Sequence, residues 1–176
     1  REVHALPRQV LAKGSKVWSV PEGSHIDELE VVLRISGPYR QFGLYETALL
    51  GMLSSGTGWA SAAAACVEAA ADLAIICFGA RHLHPDASAR MEYAAMVGGC
   101  SGCATTAAAH MVDRQPSGTL PHALILAMGD TVDAILAFDR HMAQDIPRVA
   151  LVDTFLDEAE ESVRVARAMG DRLWGV

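Results

Sequence analysis

The chain has 176 residues, 51% of them hydrophobic and 20% charged, and carries a formal net charge of -7. Such a length fits one domain, or a small domain attached to part of a larger one, and the apolar fraction is enough to fill a core. The acidic balance, without any block of Lys or Arg, excludes nucleic acid and acidic membrane as the main partner, and no apolar window approaches the ~20 residues of a membrane-spanning helix.

Residues 1–43 have a β-like texture. Lys16-Val17-Trp18-Ser19-Val20 and Glu30-Val31-Val32-Leu33-Arg34-Ile35 are short runs bounded by Pro21-Glu22-Gly23 and Ser36-Gly37-Pro38. This stretch is expected to be the remainder of a small α/β or β-rich N-terminal lobe. From residue 39 to residue 72 the texture turns helical, with an alanine-rich stretch over residues 61–71. A regular alternation follows. Strands are expected over residues 73–78, 95–99, 118–120, 149–153 and 173–176, with helices over 88–93, 105–112, 122–144 and 156–169 between them. Apolar strands alternating with helices indicate a parallel sheet covered on its outside, so residues 44–176 are expected to form an incomplete, irregular (β/α) barrel, and the fold class is α/β. The alternation breaks off at residue 176, from which we expect a piece of a longer protein.

Barrel enzymes place their chemistry at the C-terminal ends of strands. Those ends carry Arg81, His82 and His84, then Gly98-Gly99-Cys100, then Thr119 and His122, then Asp153 and Thr154. Turn formation and capping account for any one of these taken singly. His122 opens a helix, where free N–H groups and the helix dipole favour anions, which points to phosphate chemistry. Arg81 can meet a carboxylate or phosphate with two parallel hydrogen bonds, or serve as a surface ion-pair partner. His82 and His84 form an H-x-H pair like that opening metal-dependent amidohydrolase barrels, but residues 73–176 contain no lysine, which those enzymes need. We therefore assign no metal ligand. Cys100-Ser101-Gly102-Cys103 matches C-x-x-C without a second copy, so packing outweighs redox or zinc chemistry. Four cysteines in apolar or Gly-rich surroundings are expected to be free thiols, and with no stretch that reads as a signal peptide the expected location is cytoplasmic. The acidic run 157–161 reads as a solvated helix start that suits the dipole.

Taken in order, Tyr45-Glu46-Thr47-Ala48-Leu49-Leu50-Gly51, Phe78-Gly79-Ala80-Arg81-His82-Leu83-His84-Pro85, Gly98-Gly99-Cys100, Gly118-Thr119-Leu120-Pro121-His122-Ala123-Leu124 and Val152-Asp153-Thr154-Phe155 resemble nicotinate phosphoribosyltransferases of the short archaeal and bacterial branch. The resemblance runs from near Pro38 to Val176. It implies an N-terminal lobe set against an irregular barrel, a homodimer, and formation of nicotinate mononucleotide and pyrophosphate from nicotinate and phosphoribosyl pyrophosphate. Mg2+ is the implied cofactor and ATP the implied co-substrate. Carried over residue by residue, Arg81 and His82 would hold the acidic or phosphate group, and Thr119 and Thr154 would line the substrate pocket. His122 would take a phosphoryl group from ATP, and Asp153 would face the ribose hydroxyls or magnesium. The isolated chain is expected to be inactive, because the later strands that would bind the ribose phosphate are missing from it. The alternatives are quinolinate phosphoribosyltransferase, which needs more basic residues around a dicarboxylate than this segment offers, and a metal-dependent amidohydrolase using His82, His84 and Asp153.

Overall fold

Short alternating runs between turns give the first ladder. β1 (Lys16–Ser19) and β2 (Leu33–Ser36) pair antiparallel, with Val17 opposite Ile35 and Trp18 opposite Arg34. The structure, a computed structural model, describes residue 11 and residues 13–176. The second strand begins later than the expected residue 30, because Leu29 at φ 64 turns the chain just before it. The loop between β1 and β2 is tied to the helix that follows below: the Tyr93 hydroxyl donates to Glu22 at 2.5 Å.

The helical region after residue 39 is α1 (Tyr39–Phe42), a 3-10 turn over Gly43–Tyr45, and α2 (Glu46–Ala70). Alanine makes α2 helical by propensity, and its small side chains allow close neighbours. α3 (Pro85–Val97) uses this. At Gly98, which ends α3, a Cβ would stand 2.3 Å from the Ala60 carbonyl oxygen, so only glycine fits there. No helix among the described residues is long and apolar enough to cross a membrane.

β3 (Ile76–Cys77), α3 and β4 (Gly102–Cys103) form a strand–helix–strand unit whose strands run parallel, Ile76 opposite Gly102 and Cys77 opposite Cys103. The strand expected over residues 73–78 is thus two residues long. The one expected over residues 95–99 is absent. Ala94 and Ala95 are buried on α3, the chain turns at Gly99 (φ 107), and pairing starts only at Gly102. A short apolar run looks the same on a buried helix and a buried strand.

Glu92 of α3 is fully buried, and its carboxylate accepts from the N–H groups of Ala104 (3.2 Å) and Thr105 (2.8 Å) and from the Thr105 hydroxyl (2.6 Å). That hydroxyl oxygen accepts in turn from the Ala108 N–H and caps α4 (Thr106–Met111). One buried acid thereby holds the whole turn from β4 into α4, over a small core of Cys103, Ala108 and Ala109.

The described residues up to Ser117 make one compact unit and residues 118–176 a second. The second holds α5 (His122–Met128), α6 (Thr131–His141) and α7 (Glu158–Met169) around Leu120, Ile135, Ala150, Val165 and Met169. The single helix expected over 122–144 is split because Gly129, at φ 81, closes α5 in the left-handed region and Asp130 caps α6. The strands expected over 149–153 and 173–176 reduce to one parallel bridge, Val149 to Gly175. Residues 118–120 form no ladder. The fold is mixed α/β, with parallel pairing in both units and no closed barrel among the described residues.

Arg148, just before the bridge, is 6% exposed. Its guanidinium meets Asp139 at 2.9 Å, donates to the carbonyls of Asp139, Met142, Ala143 and Ile146, and lies over the Phe138 ring. It supplies the donors that the last turn of α6 lacks. Removing it leaves several buried acceptors unmet, so Arg148→Met is expected to cost about 3 kcal/mol in urea unfolding. A cost below about 1 kcal/mol would contradict this account of the α6 terminus.

Candidate functional site

Pro121 precedes α5 with extended backbone (φ -78, ψ 141), and His122 is the first helical residue. Leu120 and Leu124 pack in the same core as Leu151 and Val152, so apolar burial fixes the backbone on both sides of a narrow gap. Across that gap His122 Nε2 lies 3.0 Å from Asp153 Oδ1. The two side chains are about half exposed, at 50% and 49%. A carboxylate on Nε2 selects the tautomer protonated there, which leaves the lone pair of Nδ1 free. The pair is therefore an imidazole oriented by an acid, with one nitrogen and one carboxylate oxygen available to a ligand.

Thr119 is exposed in the loop leading to α5. Thr154 is half-buried, and its hydroxyl oxygen is enclosed with no hydrogen-bond partner. Of the residues singled out from sequence, the second unit thus brings together His122 and Asp153, with Thr154 adjacent in the chain.

Arg81 and His82 belong to the first unit, at the end of a 3-10 turn over Gly79–His82. Both are exposed. His84 has a structural role: its Nδ1 accepts from the Asp86 N–H at 3.3 Å and caps α3. Among the described residues no three His, Cys, Asp or Glu side chains stand close enough to hold a metal ion. All four cysteines are free. Cys100 and Cys103 are buried, and burial, ahead of neighbouring charges, pushes both thiols up, away from the reactive thiolate form.

A second polar group joins the start of α6 to α7. Asp130 Oδ1 accepts from the N–H groups of Val132 (2.8 Å) and Asp133 (3.1 Å), and its Oδ2 meets Arg164 at 2.6 Å. Arg164 also binds Glu161, which is fully buried. Glu161 was expected on a solvated helix start. It falls instead on the buried face with Val165 and Met169, four and eight residues on. The run of acids around it hides that spacing. The hydrogen bond from Arg164, opposed by burial and helped by the N–H groups of Asp133 and Val132, holds the Asp130 carboxyl below the usual carboxylate range.

A carboxyl whose folded pKa lies below its unfolded value adds stability above the unfolded pKa, about 3.9, and loses it as pH falls through the folded value. Asp130→Asn keeps the helix cap but removes the charge. The wild type should therefore be the more stable of the two at neutral pH, with the gap closing as pH drops below about 4 in denaturant titrations. A gap that widens on acidification would reverse the assignment.

Comparison with known proteins places these residues in context. The model of the quinolinate phosphoribosyl transferase N-terminal domain matches residues 3–56, and that of the C-terminal domain matches residues 59–171. A nicotinate phosphoribosyltransferase of Mycobacterium tuberculosis is 29% identical over 158 residues, covering 89% of this chain and 34% of that protein. One of Bacillus subtilis is 30% identical over 157 residues, covering 89% and 32%. The crystal structure of a nicotinate-nucleotide pyrophosphorylase from Pyrococcus furiosus superposes with a TM-score of 0.91 at 42% identity, over 98% of this chain and 44% of that one. The chain therefore spans 32 to 34% of the length of these curated relatives.

Proposed function

The chain belongs to the quinolinate phosphoribosyl transferase family, and on that footing we propose that the protein transfers a phosphoribosyl group to a pyridine carboxylic acid, with quinolinate as the acid that the family's description supports. In this reaction the pyridine nitrogen attacks C1 of the ribose in phosphoribosyl pyrophosphate, the C1–O bond to pyrophosphate breaks, and pyrophosphate leaves. The carboxylate next to the pyridine nitrogen then departs as carbon dioxide, leaving its bonding pair on the ring carbon, which takes up a proton from solvent. The transition state is a ribosyl cation with little covalent assistance, so positioning and charge do most of the work.

The single observation that carries the reading is the His122–Asp153 pair at 3.0 Å on two core-anchored loops. Asp153 Oδ1 orients the imidazole, while the second oxygen of this half-exposed side chain can accept from a sugar hydroxyl. The same oxygen suits a hard cation, so Asp153 is the residue that would hold magnesium arriving with the pyrophosphate. Magnesium would neutralise the charge of the departing group. Thr119, exposed in the loop before α5, would bind the substrate beside the pair.

A second reading, nicotinate as the acid, is supported by the names of the curated relatives and by the scarcity of basic residues that a dicarboxylate would need. In that reading ATP drives the reaction through His122. Because Asp153 engages Nε2, Nδ1 is the nitrogen that attacks the terminal phosphorus of ATP; the Nδ1–P bond forms and ADP leaves.

Offering full-length protein phosphoribosyl pyrophosphate with each acid separates these readings. Mononucleotide with carbon dioxide release from quinolinate supports the first. Turnover of nicotinate alone, stimulated by ATP and lost together with label at His122 in His122→Ala, supports the second. No product from either acid refutes both. In either case Asp153→Asn should lower kcat/KM by about 100-fold, and an unchanged value would remove Asp153 from the site.

A further inference from the structure

We propose that Arg164 is a positioning residue that sets the distance between His122 and Asp153 by clamping the far ends of the two arms that carry them. As a statement about turnover this rests on the phosphoribosyl-transfer reading; as a statement about geometry it does not.

A half-exposed His–Asp pair contributes too little to hold its own alignment. Its partners come from positions 31 residues apart. The first arm is α5, a rod about 10 Å long with His122 at its front. At its back the chain passes through Gly129 at φ 81, a joint with no side chain to stiffen it, into Asp130. The second arm runs from Asp153 into α7, whose cap, Asp157, follows four residues later. Arg164 sits about two turns into α7 and reaches Asp130.

The clamp is anchored at Asp130, which opens α6, and at Glu161 within α7. The planar guanidinium takes Asp130 with one nitrogen and Glu161 with another, and Glu161 is wholly buried. Asp130 cannot follow a moving arginine, because its other oxygen is committed to the N–H groups that open α6. Arg164, 37% exposed, is neither a core residue nor a loose surface cation. Joined at Asp130–Arg164 and open at His122–Asp153, the two arms act as tongs.

The test compares full-length wild type with Arg164→Met, Asp130→Asn and, as a control for simple loss of stability, Arg148→Met, which unties the other end of α6. Three quantities are read: kcat and KM, thermal midpoint, and the rate at which diethyl pyrocarbonate modifies His122, followed by mass spectrometry. Arg164→Met and Asp130→Asn should lower kcat about tenfold with KM for both substrates within about twofold, and should speed modification of His122 severalfold as Asp153 releases Nε2. Arg148→Met should lower the thermal midpoint without either change. Should Arg164→Met fail to fold, Asp130→Asn still decides the matter, since it leaves the buried Glu161–Arg164 bond intact. An unchanged His122 modification rate in Asp130→Asn, or the same rise in Arg148→Met, overturns the proposal. A wild type inactive on both acids refutes the phosphoribosyl-transfer reading alone, and the modification rates then decide the clamp.

Discussion

Burial of Leu120, Ile135, Ala150, Val165 and Met169 in one cluster is the constraint on which the second unit rests. Segments around residues 120 and 150 contribute almost no ladder hydrogen bonds, so apolar packing, rather than sheet pairing, determines where they run. Leu120 precedes His122 by two residues, and Val152 is next to Asp153. The geometry of the exposed pair is therefore inherited from side chains that never meet a ligand. At roughly 25 cal/mol per Å² of apolar surface removed from water, such packing outweighs any single half-exposed ion pair.

Where apolar packing leaves backbone groups unpaired, buried charges take over. Glu92 gathers the donors at the start of α4, and Arg148 gathers the acceptors at the end of α6. Asp130, joined to Arg164 and Glu161, does the same at the start of α6. Glu92 and Arg148 are each held by several hydrogen bonds and so tolerate burial that an unpaired ion would not, while Asp130 stays 32% exposed. Strands two residues long would leave these connections loose, and the charges supply the fixed points that longer ladders give to other sheets.

The α/β class was legible because apolar runs alternate with helical periodicity from residue 73 onward, and the helices over residues 106–111 and 158–169 lie within or close to their expected limits. Strand limits were not. A run such as Ala94-Ala95-Met96-Val97 fits a buried helix as well as a strand, and only the turn at Gly99 decides. His122 and Asp153 could be singled out from their positions at element ends, whereas their contact depends on a core assembled from distant segments. Glu161 and Arg164 carried a signal, since acid and arginine three residues apart lie on one helix face. The surrounding acids masked it. The resemblance to nicotinate phosphoribosyltransferases led to the right chemistry class of relatives, while the family models that match describe quinolinate as the substrate.

Two paired residues on each side cannot by themselves specify how β3 and β4 align, since a slip by one position keeps nearly the same number of bonds. The contact of Gly98 with the Ala60 carbonyl supplies what the ladder lacks. If α3 advanced by one residue, the branched side chain of Val97 would be driven into that oxygen. The seam between two helices thus acts as a vernier for a sheet that neither helix belongs to, and keeps Cys77 level with Cys103.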